Sequence, residues 1–169
     1  MNDLATIIQT ENPKLRLVSR ALELKEIGSK AMQSCIKKMH ATLAAEEDGV
    51  ALAAPQISVN LRIFVLSPKL FEGNTAHEPL VYINPVITKR SRVKVLFDEG
   101  CLSVRSVYGK IKRHEKVTVR ALDENGQEFT RGGSGVLAEV FQHEIDHLDG
   151  ILFTDTATKL RDLKEKLSE

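Results

Sequence analysis

The sequence predicts an α+β fold. Strand-like segments fill the middle of the chain, helical patterns lie toward both ends, and no regular strand–helix alternation links them. With 169 residues and no internal repeat, low-complexity tract or linker, one domain over 1–169 is expected, large enough to bury a core without disulfides.

The elements follow in order. Residues 6–20, with Asn12-Pro13, read as an extended or turning arm. From Leu24 to Glu47 the residues Leu24, Ile27, Ala31, Cys35, Met39 and Leu43 recur near helical spacing, which predicts one long amphipathic helix closed by Asp48-Gly49. The stretch Gly49–Gln56 is too rich in small residues, and too interrupted by Pro55, to make a good helix. Strands are expected at Arg62–Leu66, Leu80–Ile87, Val93–Phe97 and Lys116–Leu122, with a hairpin loop over Ser67–Pro79. Asp123-Glu-Asn-Gly126 is a turn signal that joins 116–122 to a strand at Gln127–Arg131. Gly132-Gly-Ser-Gly135 then breaks the chain. Ser134 is a candidate N-cap for a helix that runs to Asp149 and stops at Gly150. A last helix is expected over Thr156–Leu167, with Leu160, Leu163 and Leu167 on one stripe.

Composition excludes several function classes. With 24 basic against 23 acidic residues the net charge is +1, so no basic excess argues for a DNA-binding surface. No apolar run is long enough to cross a bilayer, and the first residues lack the features of a secretory signal or transit peptide. A cytoplasmic protein without a membrane partner is expected. Its two cysteines, Cys35 and Cys101, should then stay reduced, and Cys35 reads as a core residue of the first helix.

Chemistry concentrates in Phe141-Gln-His-Glu-Ile-Asp-His-Leu148, which spells H-E-x-x-H at His143, Glu144 and His147. Helical positions i and i+4 share a face, so both imidazoles can reach one cation, while Glu144 is placed to handle the proton of a metal-bound water. An amphipathic helix with two histidines and a pairing glutamate is the bland alternative. A third ligand is needed. Zinc peptidases of the metzincin type place a histidine where this chain has Phe153, and Glu165 and Glu169 lie on the terminal segment, where they fit poorly as ligands. The remaining candidate is Cys101, in Glu99-Gly-Cys-Leu-Ser103, whose thiolate suits a borderline-soft divalent metal beside two imidazoles. Alone, that cysteine could equally be a small core residue.

The segments Gly49–Gln56, Glu99–Ser103 and Gln142–Leu148 resemble, in order and spacing, the three signature motifs of the peptide deformylases. The likeness extends to Leu15-Arg16, Ile83-Asn-Pro85 and Leu152-Phe153. It implies antiparallel sheets packed around a central metal-binding helix, with helices at the N- and C-terminal ends, in one catalytic domain. It also implies removal of the formyl group from N-terminal formyl-methionine of nascent polypeptides, with release of formate. Cys101, His143 and His147 would hold one divalent ion, physiologically Fe2+, with Zn2+, Ni2+ or Co2+ accepted by the same donors. Glu144 would be the acid/base, and the Gln56 side-chain amide with the Leu102 N–H would face the oxyanion. Val50, Ala51, Phe97 and Val140 would line the substrate pocket. Glu99 would hold its loop through a basic partner, with Arg113 the candidate, and Gly100 would let the backbone pass close to the metal. Gln142 and Asp146 could each orient a histidine or face solvent.

The chain departs from that pattern at two places. Ala51 stands where the family usually has glycine, beside the substrate backbone. Val104-Arg105 stands where a proline usually follows, so Arg105 is a candidate for contact with the peptide. Both departures suggest retained activity with altered substrate preference, as in a paralogue; a zinc peptidase is the alternative. Lys159, Arg161, Lys164 and Lys166 surround the terminal leucine stripe and read as a solvated face. A transient ribosome contact through that helix is the sharper expectation. His40, His77 and His114 read as structural or solvated.

Overall fold

The computed structural model describes residues 4–76 and 78–163. Among them are helices α1 (Leu24–Ile27), α2 (Lys30–Ala44) and α3 (Val136–Leu148). The strands are β1 (Ala51–Ala53), β2 (Ile63–Leu66), β3 (Val81–Arg90), β4 (Lys94–Cys101), β5 (Val104–His114), β6 (Lys116–Leu122), β7 (Glu128–Ser134) and β8 (Thr158–Asp162). Five strands form one sheet in the order β1-β2-β3-β6-β7, and three form another in the order β4-β5-β8, every strand pair antiparallel. The fold is α+β, as its sequence pattern predicts.

Strand β2 shows how the core is built. All four of its residues are fully buried, because both faces of the larger sheet are covered. Ile63 and Val65 pack with Ile36, Met39 and Leu43 of α2, whereas Phe64 and Leu66 pack with Phe141 and Leu148 of α3. This is the period-2 alternation of a strand read by a helix on each side. On the α3 side Phe64 stacks on Tyr82 at 4.6 Å, and Phe141 lies 5.2 Å from the same ring. Cutting Phe141 back to alanine in such a layer costs about 3–5 kcal/mol. A third cluster, including Leu15, Val104, Ile111, Leu152 and Phe153, fastens the smaller sheet to the segment after α3.

Several elements differ from the sequence-based expectation. The helix expected over Leu24–Glu47 is two helices. Ser29 accepts a hydrogen bond from the Met32 N–H, a side-chain cap that starts α2 anew after Gly28. Cys35 lies on α2, half-buried against the core. Strand β5, unmarked by any apolar run, pairs with β4, and Gly109 admits the close packing of Leu160 and Ala157. The chain does not break at Gly132. Strand β7 continues to Ser134, and Gly133 leaves the space that Phe141 and Leu137 fill. Ser134 therefore caps nothing; the N-cap of α3 is Gly135 at φ 57°. Gly150, at φ 75°, ends that helix region as expected, and a Cβ there would meet the Arg16 carbonyl oxygen at 2.6 Å.

Over 158–162, inside the span where a last helix is expected, the chain instead forms β8. Pairing with β5 satisfies main-chain groups that a helix would have bonded internally, and Leu160 and Leu163 remain about half exposed. Arg161 pairs with Asp98, and the helical surface proposed for ribosome contact is therefore absent over 158–162. Lys164, Glu165, Lys166, Leu167 and Glu169 lie outside the described residues, as does His77. No helix among the described residues is long and apolar enough to cross a membrane.

Candidate active site

Helix α3 sets the site. His143 and His147, one turn apart, are both buried, with ring centroids 4.9 Å from each other. Cys101 comes from the end of β4, where the register with β5 shifts between Glu99 and Cys101 and turns the strand end toward the helix. The ligand atoms of Cys101, His143 and His147 all lie within 4.8 Å of one another, and Cys101 Sγ is 3.2 Å from His147 Nε2. A thiolate with two imidazoles is a donor set suited to zinc, iron, nickel or cobalt. Phe153 does not approach as a ligand; it stacks on His143 at 6.2 Å and closes one side of the site.

Around this triad the supports are specific. Glu99 Oε2 lies 2.9 Å from His143 Nδ1, and Arg113 grips the same carboxylate at 2.6 and 2.9 Å. Burial works against ionising Glu99, yet its bonds from Arg113 and His143 hold its pKa below the ordinary carboxylate value. An ionised Glu99 accepts the Nδ1 hydrogen and leaves His143 Nε2 for a metal. Arg113 also donates to Asp146 at 2.6 Å, so Asp146 holds the arginine and no histidine ring. Gln142 spans α3 and β5, accepting from the His114 N–H at 3.0 Å and donating to the His114 carbonyl at 2.9 Å. It too orients no ring. His114 turns its own Nδ1 to the Ser91 carbonyl, 2.7 Å away.

Gln56, 2% exposed, lies in a short 3-10 turn, Ala54–Ile57. Its Oε1 accepts from the Ala53 N–H at 2.8 Å, which orients the amide N–H groups toward Ser103 Oγ at 3.1 Å and Cys101 Sγ at 3.6 Å. Leu102 is held through its carbonyl, which accepts from Gln9 Nε2 at 3.0 Å. Glu144 is 4% exposed, and its Oε2 has no hydrogen-bond partner among the described residues; neither has His147 Nδ1. Burial pushes the Glu144 pKa up to about 7, the range in which a carboxyl can both take and return a proton near neutrality. Burial, with the nearby His143 and Arg113 charges, keeps His147 well below the ordinary histidine value and hence neutral, as a ligand must be.

The site opens into a cavity of about 510 Å³, lined by Gln56, Cys101, His143 and Glu144 among others. Val50, Ala51, Leu102 and Val140 also line it. Phe97 does not. It lies one residue pair before Glu99 on the same strand face, about 7 Å further from the triad. Ala51 sits in regular pairing with Leu66, so its methyl imposes no backbone strain. Gly100 is required by Tyr108, whose ring a Cβ would meet at 2.7 Å. Arg105 lines the cavity as a bidentate partner of Glu46, at 3.0 and 3.1 Å.

Sequence reasoning missed Gln9, Ser103, Glu46 and Glu139. Two of these carried a readable signal: Ser103 closes the Glu99–Ser103 motif, and Glu139 stands four residues before His143 and so on the same helix face. Gln9 and Glu46 reach the site through long-range folding that leaves no local trace.

The "Polypeptide deformylase" family model matches residues 4–163. The chain is 41% identical over 150 residues to peptide deformylase 2 of Clostridium acetobutylicum, covering 89% of this chain and 93% of that protein. It is 42% identical over 152 residues to a peptide deformylase of Thermomicrobium roseum, covering 89% and 84%. A crystal structure of a peptide deformylase from Legionella pneumophila superposes with a TM-score of 0.82 at 38% identity, over 98% of this chain and 90% of that one. A Met-Ala-Ser-bound structure of a class I type b peptide deformylase from Acinetobacter baumannii gives 0.80 at 31% identity, over 92% and 99%. The family model spanning nearly all the described residues and relatives near 40% identity show that the chain belongs to the polypeptide deformylase family.

Proposed function

We propose that this protein is a metal-dependent deformylase that hydrolyses the formyl group from the N-terminal formyl-methionine of nascent polypeptides. The reaction breaks the formyl C–N bond and yields formate and a free amine. The observation that carries this reading is the buried donor triad of Cys101, His143 and His147 beside the unpartnered carboxylate oxygen of Glu144. A structural site would need neither that carboxylate nor the oriented amide of Gln56. The Met-Ala-Ser complex of the Acinetobacter relative supports a peptide of this kind as the occupant of the cavity.

Cys101, His143 and His147 would hold a divalent ion, which when bound supplies Lewis acidity and a more acidic water. Glu144 takes the proton of the attacking water and returns it to the departing nitrogen. The Gln56 amide and the Leu102 N–H donate to the oxygen of the tetrahedral intermediate, the charge that develops only during reaction. Glu99 and Arg113 keep His143 in the tautomer that presents Nε2. Buried Phe153 and Leu152 fill space behind the site.

We assign ferrous iron as the physiological metal on the family likeness, and residues 1–169 as one catalytic domain in the cytoplasm. Anaerobically purified protein, reconstituted in turn with iron, zinc, nickel and cobalt, should release formate from formyl-Met-Ala-Ser at about one metal per chain. Zinc-loaded protein that cleaved casein and left the formyl group in place would overturn the reading.

A further inference from the structure

The pocket that receives the first residue's side chain carries an unclaimed carboxyl. On the deformylase reading the formyl carbon sits beside Cys101, Gln56 and Glu144, and the attached side chain takes up part of the remaining cavity. Helix α3 supplies that wall. Positions three and four residues before His143 share its face, about 5–6 Å away between Cβ atoms, and they are Val140 and Glu139. Both line the cavity. A carboxylate oxygen of Glu139 lies within 4.8 Å of ligand atoms of both Glu99 and His143.

Of the other lining carboxyls, Glu47 and Asp48 are exposed to solvent and Asp98 pairs with Arg161. Glu99 is held by Arg113 and His143, and Glu46 by Arg105, the one lysine or arginine among the described lining residues. Glu144 serves the reaction. The Glu139 side chain has no hydrogen bond or ion pair among the described residues. A half-buried acceptor of this kind is satisfied by a donor on whatever fills the pocket, and a thioether offers none.

We infer that Glu139 determines specificity in this pocket, extending the enzyme's range from formyl-methionine to formylated residues with an unbranched side chain that ends in an N–H donor. Glutamine has methionine's length and ends in such a donor, so formyl-Gln peptides are the closest probe. The inference rests on the deformylase reading and adds the substrate class.

The test compares kcat/KM for formyl-Gln-Ala-Ser and formyl-Met-Ala-Ser in the metal-loaded native protein, Glu139→Leu and Glu139→Gln. Glu139→Leu should lower the Gln-to-Met ratio about tenfold, by losing the side-chain acceptor and gaining an apolar wall. Glu139→Gln, which keeps an acceptor, should restore part of that ratio. A ratio unchanged in Glu139→Leu, or native protein that processes formyl-Met while rejecting formyl-Gln as strongly as Glu139→Leu does, would overturn the inference and leave the deformylase reading intact. Native protein inert toward both peptides would overturn the two together.

Discussion

Glu99 Oε2 lies 2.9 Å from His143 Nδ1, and this contact links the β4 strand end to the metal-binding helix. It does what a ligand alone cannot: it fixes which ring nitrogen carries hydrogen and which way the ring faces. Glu99→Ala should therefore weaken metal binding by about 10–100-fold while leaving the three ligands in place. Competition with a chelator, followed by metal analysis, reads this directly. Unchanged affinity would mean that packing against Phe153 alone orients the ring.

Arg113 is the counterpart of that carboxylate. It is 6% exposed and neutralises Glu99, which is 2% exposed, so Arg113→Met leaves a buried charge unpaired. The expected loss is about 3–5 kcal/mol in urea unfolding at neutral pH. The pH dependence has a definite sign. Glu99 is held below its ordinary 4.5 in the folded state, so its stabilisation is present above that pH and is lost as pH falls through the lower folded value. The stability gap between native and Arg113→Met protein should accordingly narrow as pH drops below about 4.5. A gap that stayed constant into acid would assign the loss to packing.

Glu144 carries the opposite sign. Burial raises it from 4.5 to about 7, so its protonated form is the one the fold favours. That stabilisation is complete below 4.5 and is lost as pH rises through about 7. Glu144→Gln stays neutral throughout. In metal-free protein at pH 8 it should gain roughly 1–3 kcal/mol over native, with the gain vanishing in mild acid. Turnover should fall by about 10²–10⁴-fold in the metal-loaded variant, with metal content retained. Formate release and thermal unfolding across pH measure the two halves separately.

Gln56→Ala removes an oxyanion donor and should raise the barrier by about 3 kcal/mol, lowering kcat more than it raises KM. The amide also accepts from the Ala53 N–H, so metal content and unfolding temperature need to be measured alongside. A change confined to KM would make Gln56 a substrate anchor and remove it from the oxyanion site.

What could be read from the sequence divides along the range of the interactions. His143, Glu144 and His147 are spaced by helix geometry, and that spacing is local. Cys101 and Gln56 were reachable through their motifs, although 42 residues separate Cys101 from His143 in the chain and only the fold joins them. The Glu99–Arg113 pair was readable as a candidate, but its reach to His143 and Asp146 was not. Strand β5 is polar along much of its length, and Gly109 marks a packing contact with Leu160 that no periodicity encodes. The leucines at 160 and 163 suggested a helix because spacing of three suits a helical stripe; the free edge of β5 decided otherwise. Phe97 looked like pocket lining from its place near Cys101, and strand geometry put it one residue pair too far from the triad.

The measurement closest to the central claim is formate release from formyl-Met-Ala-Ser by anaerobically iron-loaded protein, compared with Cys101→Ser under the same loading. The native protein should bind about one iron per chain and deformylate the peptide, and the variant should lose iron and turnover together. Full iron occupancy with the formyl group untouched, or turnover that survives in an iron-free Cys101→Ser protein, would contradict the account.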